Sequence, residues 1–330
     1  MSVLVTGGAG YIGSHMVHDL LAAGESVVVL DNLSTGLRWA VPAAANLIVG
    51  DIGNAELVGG VLSRHGVEAI IHFAGSVVVP ESIAQPLGYY HNNTVKSRTL
   101  IECAIAHGVR HFIFSSTAAV YGNPEQVPVA EDAPLCPMSP YGCSKLMTEI
   151  MLGDSCAAHG LNAVALRYFN VAGADPEHRT GQSTPRATHL IKVACETALG
   201  KRSHMDVFGS DYATRDGTCV RDYIHVSDLT AAHSRALHYL RAGGASDVFN
   251  CGYSKGASVL DVVDAVKRAS GHDFAVRMAA RRPGDPAEIV AASGKIRDKL
   301  GWQPPFDDLD QIVTHALSWE ARLGAMQTAA

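Results

Sequence analysis

The run Thr6-Gly-Gly-Ala-Gly-Tyr-Ile-Gly13 constrains this chain more than any other stretch. It follows Val3–Thr6, an apolar segment that reads as a buried strand, and it opens Ile12–Ala23, which reads as a helix ended by Gly24. Gly7 permits the tight strand-to-helix turn, Gly10 lets an anionic ligand approach the backbone, and Gly13 lets the helix pack close to the strand. Amides exposed at the helix N-terminus then face the ligand's phosphates. The alternative is a plain structural turn, and the strand–turn–helix context weighs against it.

The pattern that begins there continues. Ser26–Asp31, Asn46–Gly50, Ala69–Ala74, His111–Ser115 and Ala163–Tyr168 read as further strands. Helical segments at Glu56–His65, Leu87–Ala106 and Tyr141–His159 separate them. Most strands are continuous apolar runs, as in a parallel sheet covered on both faces. The expected fold is α/β, a Rossmann-type doubly wound parallel sheet with a smaller mixed α/β lobe. Residues 1–170 form the dinucleotide domain on this reading and 171–330 mainly the second lobe, with segments near 218–250 returning to the first. In the second lobe Leu190–Leu199, Asp228–Arg241, Leu260–Ala269 and Leu309–Leu323 read as helices, and Met205–Phe208 and Tyr223–Val226 as strands. The proline-rich Gly122–Pro140 reads as a loop over the site.

Asp31 ends the second strand, 18 residues after Gly13. A carboxylate there accepts hydrogen bonds from both ribose hydroxyls and repels a 2′-phosphate. No arginine follows in Asn32-Leu-Ser-Thr35, so NAD is preferred to NADP. Asp51 and Ile52 after the third strand are placed to border the adenine, and Phe73-Ala-Gly75 after the fourth to pass the ribose and diphosphate.

Tyr141 and Lys145, four residues apart, project from one face of a helix. A phenol of pKa about 10 is a poor base near neutrality. A neighbouring ammonium and a positive nicotinamide are expected to lower it. Thr117 at the end of the fifth strand supplies a hydroxyl, so Thr117, Tyr141 and Lys145 form a candidate proton-handling unit. Such a pair alone is more often a helix surface; the cofactor loop shifts the balance.

Composition excludes other classes. The net charge is −6 with no basic block, against a nucleic-acid or membrane surface. No apolar run has the roughly 18–20 residues needed to span a bilayer, and no basic leader precedes Ser2, so a cytoplasmic protein is expected. Seven scattered cysteines without a Cys-x-x-Cys pair read as free thiols. The histidine pairs His15/His18 and His107/His111 lack the partners of a zinc site, and no metal is assigned.

At this point the chain resembles the extended short-chain dehydrogenase/reductases. The resemblance rests on Thr6–His15, Asp31–Ser34, His72–Gly75, Tyr89–Asn93, Phe114–Thr117 with Val120–Gly122, Ser139–Gly142, Arg167–Asn170, Val220–Val226 and Arg282–Asp285, in order along nearly the whole chain. It implies that Tyr11, Ile12, Asp31, Asn32, Leu33, Ser34, Thr35, Gly36, Asp51, Ile52, Phe73, Ala74, Gly75, Ser76, Val77, Asn92, Lys145 and Phe169 contact NAD. It implies that Thr117 and Tyr141 handle a sugar hydroxyl. Asn170, His189, Leu190, Phe208, Arg221, Arg282 and Asp285 would line a UDP-sugar site; guanidinium groups suit a diphosphate, and a surface ion pair is the plain alternative for both arginines. The implied reaction is reversible inversion at C4 of a UDP-hexose, UDP-galactose or UDP-glucose, through a 4-keto sugar.

Related dehydratases and decarboxylases carry an acidic residue just after the position of Thr117; here Ala118 and Ala119 stand there, which removes elimination chemistry. C4 epimerisation of an N-acetylhexosamine, a pentose or a glucuronate stays open, with Ile289 at a position that varies in size within the family. A non-catalytic NAD-binding sensor is the alternative from another class. His189 stands where asparagine is common and Cys143 where a basic residue is frequent. The resemblance also implies a homodimer through Leu87–Ala106 and Tyr141–His159, whose Leu100, Ile101, Ile105, Leu146, Ile150 and Met151 exceed one core stripe. The alternative is that all six are internal core.

Overall fold

The computed structural model describes residues 2–184, 187–282 and 284–328. In chain order the first half runs β1 (Ser2–Thr6), α1 (Tyr11–Ala22), β2 (Ser26–Asp31), β3 (Asn46–Val49), α2 (Ala55–His65), β4 (Val67–His72), α3 (Val79–Ala84), α4 (Pro86–Tyr89), α5 (Lys96–Ala106), β5 (His111–Thr117), α6 (Pro140–His159) and β6 (Asn162–Tyr168). The second half runs β7 (Asn170–Ala172), α7 (Leu190–Ala198), β8 (Met205–Phe208), β9 (Val220–His225), α8 (Val226–Arg241), β10 (Asp247–Cys251), β11 (Gly256–Ser258), α9 (Val259–Ser270), β12 (Val276–Ala279), β13 (Glu288–Ile289), α10 (Gly294–Leu300) and α11 (Leu309–Thr328).

Seven strands form one sheet in the order β10-β6-β5-β4-β1-β2-β3, every pair parallel. Its strands alternate sides as a pleat requires. Val3 and Val5 of β1, Ile71 of β4 and Ile113 of β5 join the core under α1 and α8. Leu4, Ile70, Phe112 and Phe114 join the opposite core under α2 and α5. Both faces are therefore dry, and truncating a side chain such as the fully buried Ile70 to alanine should cost about 2–5 kcal/mol. The strand order reverses between β1 and β4, which leaves a crevice at their carboxyl ends.

The smaller lobe holds a four-stranded sheet, β11-β9-β13 with β7 on β9, and the pair β12-β8. The segment 218–250 divides between the two lobes: β9 lies in the small sheet, while β10 extends the large one beside β6. Asp247–Cys251 is a short run that the sequence reading left without an element. The loop Gly122–Pro140 is tied to both sheets: the Val129 amide donates to the Val290 carbonyl beside β13 at 2.8 Å, and Asn250 Nδ2 of β10 donates to the Val129 carbonyl at 2.9 Å.

One expected element is corrected. Leu87–Ala106 is not a single α-helix: a wide π turn over Tyr90–Val95 separates α4 from α5. From within this turn Asn92 and Asn93 both bond the loop at Ser76.

A second correction concerns the proposed interface residues. Leu100 and Ile101 are 0% and 3% exposed in the sheet core. Ile105 and Met151 pack against that same core, and Leu146 against a smaller cluster. Only Ile150 is open, at 55%. The exposed apolar residues here are instead Leu87, Val95 and Met147 with Ile150, joined by Ile83 on the neighbouring α3.

Candidate active site

Gly7, at φ +70°, turns the chain from β1 into α1, and a Cβ there would stand 2.7 Å from the Ala74 amide nitrogen. At Gly13 a Cβ would stand 2.1 Å from the Gly7 carbonyl oxygen. Glycine is required at both places. Gly10 begins α1 without any side-chain cap, so the first-turn amides stay open to a ligand. A cavity of about 190 Å³ lies over Gly10, Tyr11 and Thr35. At its rim the two Asp31 oxygens accept the Ala9 amide (2.9 Å) and the Leu33 amide (2.8 Å). A carboxylate offers about four acceptor sites, so two remain for a ribose diol. Uncapped amides beside a glycine floor and a carboxylate fit a dinucleotide's diphosphate and ribose.

Of the other residues expected around it, Ser76, Asn92 and Phe73 lie on the crevice wall. Asn93 Oδ1 accepts the Ser76 amide at 2.7 Å, and Asn92 Nδ2 donates to Ser76 Oγ at 3.0 Å. Phe73 meets the His233 ring, centroids 4.7 Å apart. Asp51 is paired with Lys96 at 2.6 Å and accepts the Gly53 amide at 2.8 Å, while the Ile52 side chain is buried in the α2–α5 core. Beneath Thr6, His72 bonds Thr6 Oγ1 at 2.6 Å and Ser97 Oγ at 2.8 Å, and burial lowers its imidazole to about 3. It is a neutral spacer that fixes β1 to β4.

The chemical groups stand at the next strand. Ser139 caps α6, its Oγ accepting the Gly142 amide at 3.2 Å, and Pro140 occupies the first helical turn. Tyr141 thereby falls in the positive first turn of α6, with Lys145 one turn on. Lys145 is 3% exposed; its Nζ donates to the Ser115 carbonyl at 2.9 Å and lies 4.9 Å from the Phe114 ring centroid. A Cβ on Gly75 would lie 3.7 Å from that ammonium. The nicotinamide side of the crevice thus ends against Lys145. Thr117 closes β5, its Oγ1 accepting the Ala119 amide at 3.1 Å, and it stands near enough to Tyr141 to pull the phenol down.

The electrostatics differ from the sequence expectation. In the protein itself burial raises the Tyr141 phenol above its usual value, and the Thr117 hydroxyl opposes this only in part. Lys145 is brought down to about 8 by burial, against the pull of Glu149. Desolvation sets both shifts because both groups are nearly enclosed, and the Lys145 ammonium is not what moves the phenol. Tyr141 is a phenol until a further positive charge enters the crevice.

The residues expected from the sequence to line a sugar-nucleotide site lie on separate elements. Asn170 opens β7; His189 and Leu190 open α7, with His189 Nδ1 3.4 Å from Gln182 Nε2. A cleft of about 490 Å³ passes Asn170, His189 and Leu190 and runs back to Trp319. Phe208 ends β8 under the Arg282 guanidinium, 3.7 Å from the ring centroid. Arg221 on β9 donates to its neighbour's carbonyl, Val220 O, at 2.8 Å. Among the described residues neither Arg221 nor Arg282 forms an ion pair. Asp285 is exposed beside Arg282, its amide 3.4 Å from the Arg282 carbonyl.

Sequence reasoning missed three supports. Asn93, 3% exposed, locks the Ser76 loop and bonds Ser144 Oγ at 3.0 Å. Glu149 and Arg167 form a buried pair at 2.6 Å behind Lys145, extended by Arg167 to Tyr121 Oη at 3.0 Å. His233 bonds Ser115 Oγ at 3.0 Å. The spacing Lys145–Glu149 was a usable signal, since i,i+4 residues share a helix face.

Among the described residues no group of three or more His, Cys, Asp or Glu is placed to hold a metal ion, and no helix is long and apolar enough to cross a membrane.

A glycine cradle at a sheet's switch point, with a tyrosine–lysine–threonine unit beside it, defines a nicotinamide-dependent enzyme on a doubly wound sheet. Residues 3–252 match the NAD dependent epimerase/dehydratase family, and the chain belongs to it. Within that family it is 59% identical over 321 residues to the UDP-glucose 4-epimerase of Azospirillum brasilense, covering 97% of this chain and 92% of that protein. It superposes on the UDP-glucose 4-epimerase of Bifidobacterium longum in complex with NAD+ and UDP, with a TM-score of 0.93, 35% identity and 98% of each chain covered. It also superposes on the UDP-Glc/GlcNAc 4-epimerase of Campylobacter jejuni, with a TM-score of 0.85, 47% identity and 97% and 99% of the two chains covered. NAD is the dinucleotide for which this family's cradle is built.

Proposed function

We infer that the chain interconverts UDP-galactose and UDP-glucose by inverting C4. One observation carries this reading. Thr117, Tyr141 and Lys145 meet at the end of β5, and the two positions after Thr117 are alanines, so the site handles an alcohol proton and lacks an acid for elimination. The extent of similarity to UDP-glucose 4-epimerases supports the substrate.

Tyr141 Oη takes the proton of the sugar's 4-hydroxyl, directly or through Thr117 Oγ1, and returns it at the end. Lys145 orients the ribose side of the crevice and stabilises the phenolate. NAD, held by Asp31 and the α1 amides, would supply the acceptor for the C4 hydride and the hydride that is returned. The 4-keto sugar must present its other face in between. Arg221, Arg282 and the Asn170–Leu190 wall hold the UDP end through that turn, while the hexose is held loosely. Asp31 and the α1 amides keep the dinucleotide in place between the two transfers.

The exposed strip of Ile83, Leu87, Val95, Met147 and Ile150 supports a homodimer through α3, α4 and α6. Seven free cysteines are in keeping with a cytoplasmic enzyme.

The test is to incubate purified protein with UDP-galactose, without added NAD, and to separate the sugar nucleotides. UDP-glucose should appear. No product even with NAD supplied would remove the UDP-galactose assignment and direct the search to N-acetylated, pentose and glucuronate substrates.

A further inference from the structure

The diphosphate cavity has a second wall, made by a part of the chain far from the glycine run. Gly10, Tyr11 and Thr35 line it on the cradle side; Gly181, Ser183 and Thr184 line it on the other. Residues Thr180–Thr184 thus pass over the cradle as a strap. The strap is pinned from three helices. Thr180 Oγ1 bonds Ser14 Oγ of α1 at 2.8 Å. Lys192 Nζ of α7 donates to the Gln182 carbonyl at 3.1 Å. Trp319 Nε1 of α11 donates to Ser183 Oγ at 3.1 Å. The Trp319 ring also lies under Gly181, where a Cβ would come within 2.4 Å of it, so only glycine lets the strap sit this low.

On the cradle side the chain after Thr35 closes toward the same place. The Leu37 amide donates to the Ala9 carbonyl at 2.8 Å. Two residues later the Trp39 ring stacks on Trp319, with centroids 6.2 Å apart and 29° between planes. Trp319 is 2% exposed and Trp39 46% exposed. A half-exposed tryptophan thus adds an outer contact between the two walls to the inner Thr180–Ser14 bond.

We propose that Trp39 and Trp319 are a latch that holds the strap across the diphosphate cradle, so that the dinucleotide leaves only when the latch opens. The inference rests on the dinucleotide reading of the cradle and goes beyond it, because it assigns cofactor retention to residues outside the glycine motif. The physical case is that the cradle's own donors are backbone amides at one helix end, which water reaches unless something covers them. An enclosing wall slows escape without adding a charge. A reaction that needs the same dinucleotide twice per turnover gains from such a wall.

The experiment measures release, not only turnover. Wild-type protein is freed of excess ligand, its bound NAD is quantified after denaturation, and exchange against labelled NAD is followed. Trp39→Ala should speed release roughly tenfold, the upper range for one aromatic pair. Trp39→Phe, which keeps a ring, should stay near the wild type. KM for UDP-galactose, measured with NAD in excess, should not move. Thermal melts of the variants report whether the fold is intact, and if Trp39→Ala does not fold, Trp39→Leu, which removes the ring but keeps apolar bulk, reads the latch by the same faster release. Release from a folded Trp39→Ala at the wild-type rate overturns the latch. Wild-type protein that takes up no NAD at all overturns the cofactor reading instead, and the latch with it.

Discussion

The two halves of this site are built on different principles. The dinucleotide half uses mostly main chain: a glycine turn, uncapped amides of α1 and one carboxylate within residues 7–31, with the Ser76 loop and Asn92 as its far wall. The half proposed for the sugar nucleotide would use side chains from β7, α7, β8, β9 and the turn before β13, among them an exposed Arg282 resting on Phe208. Main-chain sites are fixed by sterics and leave little to vary. Side-chain sites can be altered one residue at a time without disturbing a sheet. Cofactor choice belongs to the first half and substrate range to the second, and variants should separate the two.

The largest expected separation is at the junction. Tyr141→Phe removes one hydroxyl from the first turn of α6 and leaves both binding halves standing. Its kcat should fall by roughly 10²- to 10⁴-fold, the usual range for a proton-transfer group. Bound NAD after purification and KM for UDP-galactose should hold. A variant that keeps its turnover would place the proton chemistry elsewhere and would favour a sensor that merely binds NAD.

The same contrast explains what could be read from the chain. Gly7, Gly10, Gly13, Asp31 and the apolar strands were legible because they obey local rules of turn and period. Tyr141 and Lys145 were legible as an i,i+4 pair. The raised Tyr141 phenol was not, because burial is set by β5, the Gly75 loop and α6 together. The π turn at Tyr90–Val95 was hidden because its residues carry an ordinary helical pattern. Arg221 and Arg282 were legible only through family resemblance, since no spacing connects them. Trp39 and Trp319, 280 residues apart, left no sequence signal of their contact.

Acid should divide the halves next. Burial lowers His72 to about 3 and His15 and His233 to about 4, all on elements of the large sheet, where one carboxyl, Asp19, is raised to about 6. On the small-lobe side His225 is lowered to about 3, while Asp222 and Asp228 are both raised to about 6; Asp228 stands in the first turn of α8, but its carboxylate faces away from the large sheet, accepting the Tyr253 hydroxyl and the Phe306 amide. The signs are opposite. A depressed imidazole binds its proton more weakly when folded, so its stability is lost as pH falls below about 6.5. A raised carboxyl binds its proton more tightly when folded, so it adds stability as pH falls from about 6 toward 4. Three imidazoles against one carboxyl leave the large sheet weakened by acid, on the order of a few kcal/mol between pH 6.5 and 4. One imidazole against two carboxyls leaves the small lobe level or slightly strengthened. Hydrogen exchange compared at pH 7 and pH 5 should show protection lost in β1, β4 and α1 before β9 and β11. Loss in the reverse order would mean that other groups govern acid unfolding.

The finest test pairs one residue from each half in one assay. Arg282→Ala removes a guanidinium that can make charge-assisted bonds to a diphosphate, worth about 1.5–3 kcal/mol. KM for UDP-galactose should rise roughly 10- to 100-fold. NAD release should be unchanged, because Arg282 touches nothing in the cradle. Asn92→Ala removes a single neutral hydrogen bond, the one to Ser76 Oγ at 3.0 Å, worth about 1 kcal/mol. Its effect should fall on the other axis: NAD release faster by roughly fivefold, with KM for the sugar nucleotide unmoved. Asn93 still carries the Ser76 amide and carbonyl, so the loop should keep its path. If Asn92→Ala raises KM instead, the Ser76 loop serves both ligands, and the division between a main-chain cofactor half and a side-chain substrate half does not hold at that wall of the crevice.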